Sequence, residues 1–176
     1  MTKDEKYMKR CLELASAASG NTAPNPLVGS VIVHNNKIIG EGYHWLYGKA
    51  HAETIAIDSV KDKSLLKEAT LYVNLEPCAH HGHTPPCSER IVREEIPRVV
   101  IGMRDPSLKV SGKGLNILRN GGCIVRENIL ENECRQVNRR FITFHEKKRP
   151  HIILKWAQTL DGLIDKRRTK NDPIQP

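Results

Sequence analysis

The segment EPCAHHGHTPPC, Glu76 to Cys87, places two cysteines, three histidines and three prolines within twelve residues. Prolines at this density break helices and central strands, so a loop is expected. A loop this rich in imidazole and thiol donors points to a bound metal or a redox pair. Upstream, the triplet HAE (His51, Ala52, Glu53) opens a stretch of helical character. One imidazole from His51 and two thiolates from Cys78 and Cys87 make a three-ligand zinc set with the fourth position free for water, the mark of catalytic zinc. Mixed nitrogen and sulfur donors favour zinc. Glu53, two residues past His51, faces another direction and stays free to carry protons. Zinc draws the pKa of water from about 15.7 towards ~7. A nucleophile and a proton carrier side by side suit attack on an amidine-like ring carbon with loss of ammonia. The competing reading is a structural zinc closed by His80, His81 or His83, which leaves Glu53 without a task.

The elements that must position these groups follow from pattern. DEKYMKRCLELASAAS sets Tyr7, Met8, Cys11, Leu12, Leu14, Ala15 and Ala18 at spacings of three and four, predicting an amphipathic helix that stops near Gly20. LVGSVIVH (residues 27–34) and KIIGEGYH (37–44) predict a hairpin turning at Asn35-Asn36. HAETIAIDSV is helical from about His51, and TLYVNLE is a strand running straight into the ligand loop. Cys87 begins a further helix, CSERIVREE. At a helix start the partial positive charge stabilises a thiolate. Strand RVVIGM, short helix LNILRNG, strand CIVREN and one long helix LENECRQVNRRFITFHEK complete the order. Strands alternating with helices after an opening hairpin imply a mixed sheet covered by helices on both faces. After Arg149-Pro150, HIILKWA predicts a last strand before a polar tail; one strand cannot make a domain.

Bulk properties narrow the function classes. No apolar run approaches the ~20 residues of a membrane span, and MTKDEKYMKR lacks the apolar core of a signal peptide, so a cytoplasmic location is expected. In reducing cytosol five cysteines are not a disulfide framework. Cys11, Cys123 and Cys134 read as small buried hydrophobes. The net charge of +8 is not spread evenly. Residues 1–134 carry 17 Lys and Arg against 16 Asp and Glu, whereas residues 135–176 carry 11 against 4. Basicity therefore belongs to the tail, where a solvated charged face is its common meaning.

The H-x-E triplet with Pro-Cys and a second cysteine is the signature of zinc-dependent nucleobase deaminases, except that here eight residues separate the cysteines. CAHHGHTPPC, with PNPLVGSVIV upstream, YHWLYGKAHAE between and RDP followed by VSGKG downstream, closely resembles the deaminase half of the bifunctional deaminase/reductase of riboflavin biosynthesis over about residues 5–147. The resemblance implies a three-layer α/β/α cytidine-deaminase-like fold. It implies hydrolytic deamination of a diaminopyrimidine ribosyl-phosphate, with zinc on His51, Cys78 and Cys87 and Glu53 as proton shuttle. Substrate contacts would fall on Asn25, His44, His80 and Asp105. A deaminase domain over residues 1–147 would be followed by a linker and the first strand of a reductase domain over 148–176, so NADPH is not an expected cofactor. A homo-oligomer is expected from the family. His83 and Ser107 depart from the family's usual Lys or Arg and Asn, which bears on substrate grip and not on the metal. Two other readings stand beside it: a nucleoside or tRNA deaminase, and a zinc-stabilised nucleic-acid-binding module using the basic tail.

Overall fold

The structure is a computed structural model that describes residues 1–79, 85–107, 111–160 and 162. Helix α1 (Lys3–Ala17) is opened by a reciprocal cap: the Glu5 N–H donates to Thr2 Oγ1, and the Thr2 N–H donates to the Glu5 carboxylate at 2.7 Å. Strands β1 (Gly29–His34) and β2 (Lys37–Tyr43) form the expected hairpin. Asn35 and Asn36 both adopt positive φ, 46° and 62°, the conformation that a tight two-residue hairpin turn demands.

Helix α2 (Ala52–Ser59), a 3-10 helix (Lys63–Glu68), β3 (Thr70–Leu75), α3 (Cys87–Arg93), β4 (Arg98–Met103), α4 (Lys113–Asn120) and β5 (Ile124–Arg126) follow. Among the described residues the five strands form one sheet in the order β2-β1-β3-β4-β5. β1 runs antiparallel to β2 and β3, while β3, β4 and β5 are parallel. The sheet is therefore mixed, as expected.

Alternation along the strands sends side chains to two cores. Ile32, Leu71, Val73, Val99 and Ile101 pack with Ala56, Ile57, Ile91, Leu115 and Leu118 from α2, α3 and α4. Val31, Val33, Tyr72 and Val100 pack on the other face with Tyr7, Met8 and Cys11 of α1 and with Cys134 and Ile142. Helices thus cover both faces in three layers. Cys11, Cys123 and Cys134 are buried within or beside these cores, as their sequence contexts predict.

Strand polarity gathers the site. Because β1 is antiparallel to β3 and β4 is parallel to it, the start of β1 and the ends of β3 and β4 meet at one edge of the sheet. The Asn25 loop, the Cys78 loop and Asp105 all leave from there. Helix α2 reaches the same edge by lying directly on β2, where a Cβ at Gly42 would stand 2.6 Å from the Ala56 backbone nitrogen.

Two expectations are corrected. The single long helix over LENECRQVNRRFITFHEK is two helices, α5 (Glu131–Val137) and α6 (Arg139–Lys147). Asn138 between them has φ −96° and ψ 16°, and its side chain bonds to a distant loop. The expected strand at Ile152–Ala157 carries no regular structure, because a strand exists only when paired and this segment has no sheet partner among the described residues. Ile152, Ile153, Leu154 and Trp156 are exposed.

Candidate metal centre and active site

His51 is the N-cap of α2 and Cys87 is the first residue of α3, so two helix N-termini converge on the loop that carries Cys78. His51 Nδ1 lies 3.5 Å from Cys78 Sγ and 3.3 Å from Cys87 Sγ. Zinc bonds of about 2.3 Å to sulfur and 2.0–2.1 Å to nitrogen at tetrahedral angles give an N···S edge of about 3.5 Å. The three donors therefore fit a zinc ion. All three ligand atoms lie within 4.8 Å of one another, and no fourth His, Cys, Asp or Glu joins them among the described residues.

The electrostatics suit thiolate ligands. The Cys87 N–H donates to Cys78 Sγ at 3.2 Å. The Cys87 thiol, then His51 and this backbone donor, outweigh burial and draw the Cys78 pKa down to about 4. Its partner Cys87 is held protonated first by that same thiol–thiolate bond and then by burial. Two thiols this close share one negative charge until a cation stabilises a second.

Glu53 sits in the first turn of α2, buried, and its side chain lines the same cavity as His51 and Cys78. Burial, followed by the Cys78 charge, pushes its carboxyl up to about 7. A carboxyl with that balance both accepts and gives up a proton near neutral pH.

The cavity has a volume of about 580 Å³, of the size that holds a small organic ligand. Asn25 and His44 form one wall. His44 Nδ1 faces the Ala50 carbonyl at 3.0 Å and so acts as donor there, which leaves Nε2 to accept from Asn25 Nδ2 at 3.1 Å. Burial lowers the His44 pKa and keeps the ring neutral. Asp105 and Ser107 form another wall, with the Ser107 N–H donating to Asp105 Oδ1 at 2.7 Å. The structure thus brings His51, Glu53, Cys78, Cys87, Asn25, His44 and Asp105 to one place. His80, expected from the sequence to contact substrate, and His83 lie outside the described residues.

Other site residues escape sequence reasoning. Glu76, at the end of β3, accepts backbone N–H groups from Asp105, Gly112, Gly114 and Leu115 at 3.1–3.4 Å. The last three belong to the start of α4, which has no side-chain cap of its own, so Glu76 caps that helix from another element. Asn74 accepts from the Gly29 N–H at 2.8 Å and donates to the Leu27 carbonyl at 3.0 Å. Phe141 and His145 of α6 line the cavity with ring centroids 4.3 Å apart. Nothing local in the sequence signals these roles, because each rests on partners far along the chain or on the placement of α6.

The model of the cytidine and deoxycytidylate deaminase zinc-binding region matches residues 1–103. A riboflavin biosynthesis protein RibD of Aquifex aeolicus is 50% identical over 161 residues, covering 92% of this chain and 45% of that protein. The chain thus spans under half the length of that relative. A diaminohydroxyphosphoribosylaminopyrimidine deaminase/5-amino-6-(5-phosphoribosylamino)uracil reductase of Thermotoga maritima superposes with a TM-score of 0.86 at 48% identity, over 91% of this chain and 46% of that one. The Rib2 deaminase of Aspergillus oryzae shares the fold, with a TM-score of 0.64 at 24% identity over 83% of this chain and 95% of that one.

Proposed function

The chain belongs to the family of the cytidine and deoxycytidylate deaminase zinc-binding region, and from that membership we propose that it hydrolyses the 2-amino group of 2,5-diamino-6-(5-phosphoribosylamino)pyrimidin-4(3H)-one. The products are 5-amino-6-(5-phosphoribosylamino)uracil and ammonia, a step of riboflavin biosynthesis. One observation carries the reading: a three-donor zinc set stands beside a buried carboxyl, both facing a cavity of ligand size. The names of the RibD relatives support the substrate.

His51, Cys78 and Cys87 would hold a zinc ion, which would supply the Lewis acidity that makes water nucleophilic near neutral pH. Glu53 takes the proton from the attacking water as the water oxygen bonds to the ring carbon. The same carboxyl then delivers a proton to the exocyclic nitrogen, and the carbon–nitrogen bond breaks to release ammonia. Neutral His44, with both ring nitrogens engaged, lines the wall and orients Asn25, whose Oδ1 meets a polar edge of the substrate, and Asp105 accepts from the substrate's donors. His80 is assigned a further contact on the resemblance alone.

Residues 1–147 form the deaminase unit in this reading. Residues 148–176 are a linker into a reductase unit, whose sheet would supply the strand partner that Ile152–Ala157 lacks among the described residues; relatives about twice as long, and the exposed Ile152, Ile153, Leu154 and Trp156, support that assignment. Exposed Trp45, Leu46 and Tyr47 fit a contact between subunits of a homo-oligomer, and free cysteines fit a cytoplasmic setting.

The test is ammonia release from the diaminopyrimidine ribosyl-phosphate by zinc-loaded protein, with Glu53→Ala and cytidine as controls. Turnover of the diaminopyrimidine that vanishes in the variant supports the reading. Turnover of cytidine instead moves the substrate to a nucleoside.

A further inference from the structure

Asn138 lies between α5 and α6 with its residue only 2% exposed. Its Oδ1 accepts the Leu27 N–H at 2.8 Å, and its Nδ2 donates to the Leu27 carbonyl at 3.0 Å. This two-point pairing is what a neighbouring strand would offer a backbone. Here it joins segments 111 residues apart. Leu27 stands two residues after Asn25, which bonds His44 in the wall of the cavity. Phe141 and His145 stand one and two turns after Asn138 and line the same cavity. Ile142, between them, is buried in the core, against which Phe141 also packs. The bridge therefore fixes the distance between two walls of one cavity.

We propose that Asn138 is a positioning residue, its carboxamide locking α6 against the Asn25 loop so that the Phe141–His145 ring pair forms the face on which the substrate's pyrimidine lies. Bases stack on aromatic side chains wherever their faces are exposed to them; the ring pair, four residues apart on α6, is local, and what tertiary contact sets is where α6 presents it. The inference rests on the reading under Proposed function for its substrate. The clamp itself rests on the bridge alone.

Asn138→Asp keeps the shape but removes the donor to the Leu27 carbonyl. In the zinc-loaded full chain it is expected to raise KM about tenfold with kcat changed less than about twofold, since the Leu27 carbonyl keeps Asn74 but now faces a carboxylate in place of a donor, and a wall shifts without touching the proton carrier. Zinc content should stay at that of the unmodified chain. Phe141→Ala should raise KM similarly, and the double variant should exceed neither single by much, because both remove one wall. Unchanged KM in either variant, or effects that multiply, overturns the proposal. If Asn138→Asp fails to fold, Phe141 decides: KM restored by Phe141→Tyr relative to Phe141→Ala supports a stacking face, and equal KM for the two overturns it. If the unmodified chain releases no ammonia, the activity reading fails separately. Exchange of the Leu27 amide then decides the clamp, about tenfold or more faster in Asn138→Ala, which removes its acceptor, if the bridge holds α6 and unchanged if it does not.

Discussion

The backbone N–H of Cys87 donates to the sulfur of Cys78 at 3.2 Å, so one ligand of the metal set is stabilised as a thiolate by the helix that begins at another. The interaction joins the ligand loop to α3 across nine residues. A metal bound there would therefore brace the start of α3, which Ile91 already anchors in the core.

Removing the metal should loosen this edge of the sheet. A ligand present at about a thousand times its Kd stabilises by about 4 kcal/mol, which in a domain of this size corresponds to about 10 °C in Tm. Chelator-treated protein should melt lower by roughly that amount. Cys78→Ser should melt at the chelated value and gain nothing from added zinc. Calorimetry with and without zinc checks both.

Glu76→Gln should damage the site without touching a ligand. The amide presents a donor where the carboxylate accepts four backbone N–H groups, and a buried mismatch of this kind costs about 3 kcal/mol. Because those donors fix the Asp105 loop, KM should rise along with the loss of stability. Denaturant unfolding and steady-state kinetics report the two effects.

Asn25→Ala should raise KM by about ten- to a hundredfold, because it removes both a wall of the cavity and the donor that holds His44 Nε2. Zinc content should not change. A fall in zinc content would mean that the Asn25 loop supports the metal rather than the substrate.

Glu127 gives the fold a pH dependence away from the site. Burial works against its ionisation, and the guanidiniums of Arg104 and Arg119 outweigh burial, leaving its pKa below the usual carboxylate value. A depressed folded pKa contributes stability above the unfolded pKa of about 4.3 and loses it as pH falls through the folded value. Both arginines are largely exposed, so the contribution is about 1 kcal/mol. The stability gap between wild type and Glu127→Gln should shrink between pH 6 and about pH 3, as read by urea unfolding at each pH.

The ligand set was legible because His51, Glu53, Cys78 and Cys87 announce themselves by residue type and short spacing. The order of strands and helices was legible from hydrophobic period. What was not legible depends on partners far along the chain. Residues 131–147 keep a helical pattern through Asn138, and only the contact with Leu27, 111 residues away, marks the break. Glu76 looks like any acidic residue before a proline until its four donors, 29 to 39 residues downstream, arrive beside it. The segment around Ile152 has strand composition, but composition cannot supply the neighbour that a strand requires.

Asn25, His51, Cys78 and Asp105 recur about every 27 residues, because each crossing of the sheet and return brings the chain back to the same edge. The turns between, at Asn35-Asn36, near Asp62, at Glu95 and at Gly121-Gly122, fall at the other end of the strands. The molecule thus divides into a chemical rim and a rim of plain turns. Length changes introduced at the second rim leave every chemical group in register with the others. Epitopes, tags or a circular permutation belong there, and the protein can be remodelled at one end while its reaction is kept at the other.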